Sequence, residues 1–120
     1  LRVGAFSKND KPVDRASRVA RMLVSLSLVE NAIAERGPVR VYVRVTDPAG
    51  TLLSDGRGTT FTIEDQTLDA TASREVDYEG EEVDMSIYVN SEAKFSAGTY
   101  VMEAFTDSGL LGSASLVLRQ

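Results

Sequence analysis

Apolar and polar residues alternate with a period of two along most of this chain, and turn-forming residues cut the alternation into short runs. Successive side chains of a strand point to opposite faces, so each such run predicts a strand with one apolar face. Met22, Val24, Leu26 and Leu28 share a face of the first clear run, with Leu23, Ser25 and Ser27 on the other. Val39, Val41, Val43 and Val45 share a face of the next, opposite Arg40, Tyr42, Arg44 and Thr46. Glu35-Arg36-Gly37-Pro38 separates the two as a turn. Asp47-Pro48-Ala49-Gly50 marks a further reversal, because proline presets φ at the first corner and glycine accepts the left-handed conformation that closes it.

The pattern continues to the C-terminus. Phe61 and Ile63 alternate with Thr60, Thr62 and Glu64. Leu68, Ala70, Ala72, Val76 and Tyr78 make an inward set interrupted by Arg74, with Thr67, Asp69, Thr71, Ser73, Glu75 and Asp77 outward. After a Glu79-Gly80 turn, Val83, Met85, Ile87 and Val89 oppose Glu82, Asp84, Ser86 and Tyr88. Tyr100, Met102 and Ala104 precede a hairpin at Asp107-Ser108-Gly109, and Ala114, Leu116 and Leu118 follow it, with Gly112 marking a bulge or bend. The apolar opening at residues 1–6 reads as an edge strand, followed by a loop at residues 8–12. Residues 15–30 are the one helix candidate, but the serines and β-branched residues from Met22 onward favour a strand. About seven to eight strands with one apolar face each, and no helix to make parallel crossovers, predict an all-β fold: a two-sheet antiparallel Ig-like or fibronectin-like β-sandwich.

The 120 residues suit one core and hence one domain, with residues 1–18 as edge strand and loop and 19–120 as the main sandwich. The chain begins with Leu1 rather than Met, so it is expected to be a fragment of a longer protein. No apolar run is long enough to predict a transmembrane segment.

Composition narrows the chemistry. Thirteen basic against eighteen acidic residues give a net charge of −5, which disfavours binding to nucleic acid. With no histidine and no cysteine, the imidazole-based triads, thiol nucleophiles and the commonest zinc ligands are unavailable. The expectation is a protein that is not an enzyme and has no catalytic, cofactor-binding or metal-ligating residues. Carboxylates cluster at Asp77, Glu79, Glu81, Glu82 and Asp84, the one calcium candidate, without the spacing of an EF-hand loop; a solvated turn is the competing reading. Tyr42 and Tyr88 fall on polar faces, with Arg40 and Arg44 flanking the first. If their strands are neighbours, Arg40, Tyr42, Arg44 and Tyr88 form a partner-contact patch of residue types enriched at interfaces. The competing reading is a hydrated sheet crossed by ion pairs of about 0–1 kcal/mol each.

Residues 19–28, 41–50 and 98–107, above all Val41-Tyr42-Val43-Arg44-Val45, Asp47-Pro48 and Gly98-Thr99-Tyr100, carry a resemblance that extends over nearly the whole chain. The chain resembles the C-terminal Ig-like β-sandwich domain of uncharacterised Gram-negative bacterial proteins in which a helical or coiled-coil region precedes the sandwich. The resemblance implies a non-enzymatic interaction or display module of a periplasmic or cell-envelope protein, with another protein as its partner and no cofactor. The alternative is a carbohydrate or cell-wall binding module, which needs an exposed aromatic platform or an acidic metal site. Leu110-Leu111-Gly112 is less polar than the hairpin this resemblance leads one to expect. Oligomeric state is not legible from these residues.

Overall fold

The alternating runs fold as nine strands among the described residues of the computed structural model, which are 1–28, 37–54, 58–63, 65–79, 81–90, 94–106 and 109–120. These are β1 (Arg2–Phe6), β2 (Arg21–Leu28), β3 (Gly37–Thr46), β4 (Thr60–Ile63), β5 (Gln66–Asp69), β6 (Ala72–Tyr78), β7 (Val83–Val89), β8 (Gly98–Thr106) and β9 (Gly109–Leu118). All pair antiparallel, as a three-stranded sheet β1-β2-β7, a four-stranded sheet β6-β3-β8-β9 and a hairpin β4-β5. The apolar rows meet in one core. Met22, Val24, Leu26 and Leu28 of β2 and Met85, Ile87 and Val89 of β7 join Val41, Val43 and Val45 of β3 and Tyr100, Met102 and Ala104 of β8 in a single buried cluster. Each of these strands buries one face, as period-two patterning requires.

The strand count exceeds the expected seven to eight because the run through residues 66–78 is broken. β5 ends at Asp69 and pairs with β4, whereas β6 pairs with β3. Thr71, expected to face outward, lies at this break and is fully buried. Its N–H donates to the Val43 carbonyl at 2.7 Å, and its Oγ1 accepts from the Val45 N–H at 2.9 Å and donates to the Leu53 carbonyl at 2.8 Å. A threonine therefore satisfies backbone groups that the departing strand leaves behind. The helix candidate reduces to a 3-10 turn at Ala16–Arg18, with β2 taking Arg21–Leu28; its residues 29–30 lie outside the described residues. Among the described residues no helix is long and apolar enough to cross a membrane.

Local chemistry fixes the corners. Asp47 Oδ1 accepts from the N–H groups of Ala49 and Thr51, and Gly50 closes the turn at φ 87°. Gly98, at φ 131°, packs on Pro48 so closely that a Cβ there would stand 2.6 Å from the proline Cβ. The Asp47-Pro48 and Gly98-Thr99-Tyr100 segments are thus in direct contact. At the start of β8 the buried Tyr100 hydroxyl donates to the Ser96 carbonyl at 2.9 Å and accepts from the Ser96 N–H at 2.8 Å. The bulge expected near Gly112 is present: Ala104 faces Gly112 while Phe105 faces Leu110, leaving Leu111 as the extra residue. Glu35-Arg36, Glu64, Gly80 and Asp107-Ser108, named above at turns and in runs, lie outside the described residues.

Candidate functional site

The first three residues of the expected patch lie on the outer face of the four-stranded sheet. Arg40 stands opposite Glu75 and reaches both Ser73 Oγ, at 3.2 Å, and the Glu75 carboxylate, at 3.3 Å. Tyr42, expected to face solvent, is instead half-covered. The β4-β5 hairpin folds over this face, and the Phe61 ring stacks on Tyr42 with centroids 4.6 Å apart and planes 14° from parallel. Phe61 also meets Phe105 at 5.3 Å and is itself buried, outside the main core. Arg44, the next residue in the row, has a buried Nε with no hydrogen-bond partner. The pleat assigned this face correctly, but a second apolar layer occupies it.

Tyr88 lies elsewhere. β7 belongs to the three-stranded sheet, whose outer face points to the opposite side of the sandwich, so Tyr88 is not brought together with Arg40, Tyr42 and Arg44. The register places Gly4, Leu23 and Tyr88 in one row across β1, β2 and β7. The Phe6 ring covers Gly4, coming within 3.2 Å of where a Cβ would be. Arg21 sits 5.3 Å above the Tyr88 ring and also pairs with Asp10. Tyr88 keeps 56% of its surface exposed. Phe6, Arg21 and Leu23 complete this surface, and sequence reasoning missed them because only the registers of β1 on β2 and of β2 on β7 show that they adjoin Tyr88. Farther along the same strands, Ser25 and Ser86 share a 3.0 Å hydrogen bond and Ser27 donates to Asp84. A groove of about 740 Å³ opens there, with Arg2, Arg74 and Asp84 among its lining residues.

Of the acidic run, Asp77, Glu79, Glu81, Glu82 and Asp84 are all exposed. Among the described residues no three acidic groups converge on a cation-sized site.

The sheet edges differ in how they are guarded. Along β1 the chain folds back, with Pro12 bridged to Phe6 and the Val13 N–H donating to the Ala5 carbonyl at 3.0 Å. β6 carries Arg74, Glu75 and Asp77, and Arg74, on the inward pleat, turns out at the rim to donate to the Ser86 carbonyl of β7 at 2.7 Å. β9 has no charged residue from Gly109 to Leu118. Among the described residues only its end is clamped: the Arg119 N–H donates to the Asp14 carbonyl at 2.7 Å, the Ala16 N–H donates to the Arg119 carbonyl at 2.8 Å, and the Arg119 guanidinium pairs with the Asp14 carboxylate at 2.8 Å.

The Arg119 hydrogen bond, helped by its charge, holds the Asp14 carboxyl below its ordinary value of 3.8. A depressed folded-state pKa contributes stability above the unfolded value and loses it as pH falls through the folded one, so this clamp loosens only in acid. Arg119→Ala is expected to move the Asp14 titration midpoint, read by NMR of its carboxyl carbon, upward toward the ordinary range. The melting temperature at neutral pH is expected to change little, since the pair is exposed. An unmoved midpoint would show that the pair does not form in solution.

No curated protein and no solved structure matches this chain. Residues 1–119 match the family described as Domain of unknown function (DUF8428), and the chain belongs to that family.

Proposed function

We propose that this domain is a non-enzymatic, Ig-like protein-interaction or display module of a bacterial cell-envelope protein, contacting its partner through the outer face of the three-stranded sheet around Tyr88. The observation that carries this reading is the Gly4–Leu23–Tyr88 row, with the Phe6 ring over Gly4 and Arg21 above Tyr88: aromatic, aliphatic and guanidinium groups on one sheet face, Tyr88 more than half exposed. Tyrosine, phenylalanine and arginine supply large contact area and are enriched at protein interfaces. Arg40 and Arg44 remain secondary contact candidates on the opposite face, and Tyr42 holds the β4-β5 hairpin through Phe61.

The strand order supports the Ig-like reading. β1-β2-β7 over β6-β3-β8-β9 follows the A-B-E and C′-C-F-G arrangement, and the Tyr100 hydroxyl returning to Ser96 at the start of β8 is the counterpart of the tyrosine corner of strand F. The envelope location rests on the resemblance stated above. A second reading, a cell-wall carbohydrate module, is favoured by the same exposed Tyr88 ring, which offers a face for a sugar to stack on.

Affinity capture from envelope extract with the wild type and with Tyr88→Ala tests the proposal. The wild type is expected to retain a protein that the variant loses, with equal melting temperatures, because Tyr88 is exposed and contributes little to the core. Retention of peptidoglycan fragments in place of protein would favour the carbohydrate reading. Unchanged capture by Tyr88→Ala would remove this face from the function.

A further inference from the structure

We infer that residues 113–117 of β9 are a self-pairing edge through which two copies of this chain join antiparallel, making one continuous sheet from the two four-stranded sheets. The inference concerns a different surface from the Tyr88 face and does not depend on it.

The direction of the backbone groups along β9 follows from its clamped end. Arg119 turns its N–H and C=O away from β8 and toward Asp14 and Ala16. Backbone groups two residues apart point the same way, so Ser113, Ser115 and Val117 also direct their N–H and C=O to the open edge. Ala114, Leu116 and Leu118 direct theirs to β8. The ladder on the other side of β8 agrees. Val43 and Val45 of β3 turn their backbone groups to Thr71 and Leu53, leaving Arg44 and Thr46 to bond β8 at Glu103 and Val101, and therefore Met102 and Tyr100 to bond β9 at Ala114 and Leu116. Among the described residues nothing pairs with the open groups of Ser113, Ser115 and Val117.

Two features bound this open segment. Toward the N-terminal end of β9 the bulge at Leu111 interrupts the strand, and toward the C-terminal end the Asp14–Ala16 clamp occupies Arg119. What lies between is centred on Ser115. A second copy laid antiparallel about that centre sets Ser115 opposite its own counterpart and Ser113 opposite Val117 of the other copy. All of these are hydrogen-bonding positions, so the pairing forms about six backbone hydrogen bonds, two for each hydrogen-bonded pair of an antiparallel ladder. An isologous two-fold contact needs this kind of self-complementarity.

The side chains permit it. The segment is Ser113-Ala114-Ser115-Leu116-Val117, without charge, proline or bulk on the centre, although the chain as a whole carries a net charge of −5. Val117, the most exposed large apolar side chain among the described residues at 64%, gains a neighbour across the new pairing. The other edges carry the devices by which proteins avoid such pairing: a folded-back segment on β1, charges on β6 and an arginine cap on β7. A strand of another protein is the competing occupant; a second copy is favoured because its own segment 113–117 matches the open stretch in length and brings no charge to it.

The test combines molar mass by light scattering over a concentration series with amide hydrogen exchange of the same chain. The expected result is a concentration-dependent dimer. Protection should rise with concentration at Ser113, Ser115 and Val117, while Ala114, Leu116 and Leu118 are protected throughout. Ser115→Lys puts two ammonium groups opposite each other across the two-fold axis and is expected to weaken the dimer about tenfold or more. The double variant Ser113→Glu with Val117→Lys places opposite charges across the same contact. It is expected to dimerise at least as well as the wild type, with an affinity that falls as salt is added. Both variants change exposed side chains, and unchanged melting of the monomer shows that each has folded. A monomer at all concentrations overturns the inference, as does a dimer indifferent to Ser115→Lys. Protection of these three amides only when a foreign peptide is added assigns the edge to another protein and overturns it equally.

Discussion

Val41→Asp is expected to abolish folding. Val41 is fully buried at the centre of the four-stranded sheet, with β6 on one side and β8 on the other, and its side chain enters the cluster shared by both sheets. The cation opposite it on β6, Arg74, turns out at the rim and is engaged with the Ser86 carbonyl, and the Arg40 guanidinium is on the opposite face, engaged with Glu75. Burying an unpaired charge, or shifting its pKa far enough to neutralise it, costs several kcal/mol, comparable to the roughly 5–15 kcal/mol that holds a domain of this size together. Far-UV circular dichroism and a thermal melt check the result, which should be a spectrum without strand signal and no cooperative transition. A folded Val41→Asp protein would mean that the inward and outward faces of β3 are the reverse of those described.

Phe61→Ala is the second large effect, and it acts outside the main core. Phe61 is buried although its strand belongs to neither principal sheet, because its ring fills the space between Tyr42 and Phe105 on the outer face of β3 and β8. Truncation removes the apolar anchor of the β4-β5 hairpin and uncovers both rings. The expected loss is about 3 kcal/mol, the lower end for phenylalanine truncations, because the hairpin can lift away rather than leave a closed cavity. Urea denaturation gives the magnitude, and faster proteolysis within residues 60–69 identifies the hairpin as the part released. A variant within about 0.5 kcal/mol of wild type, as for an ordinary surface substitution, would show that the hairpin does not depend on this stack.

These two substitutions mark the limit of what the alternation conveys. The side of the pleat was legible nearly everywhere: Met22 to Leu28, Val41 to Val45 and Val83 to Val89 bury the residues their periodicity assigns. Turn chemistry was legible too, in the Asp47-Pro48-Ala49-Gly50 reversal and the bulge beside Gly112. The candidate surface was legible only in part. Tyr88 lies on an exposed face as expected, but Tyr42 does not lie beside it, because a pleat says which way a side chain points and not which strand lies next door.

The sequence by itself determined the fold class and the inward rows, since hydrophobic burial at a period of two depends on neighbouring residues alone. It also set the charge-free composition of β9. Only the tertiary structure decided the rest. It separated Tyr42 and Tyr88 onto opposite faces, drew the β4-β5 hairpin over Tyr42, buried Thr71 at the gap between strands, set Phe6, Arg21 and Leu23 beside Tyr88, and left the edge of β9 open between a bulge and a clamp. Each of these depends on pairing between segments far apart in the chain, and that pairing is chosen by how complete apolar faces pack and how backbone groups are satisfied, not by the local order of residues.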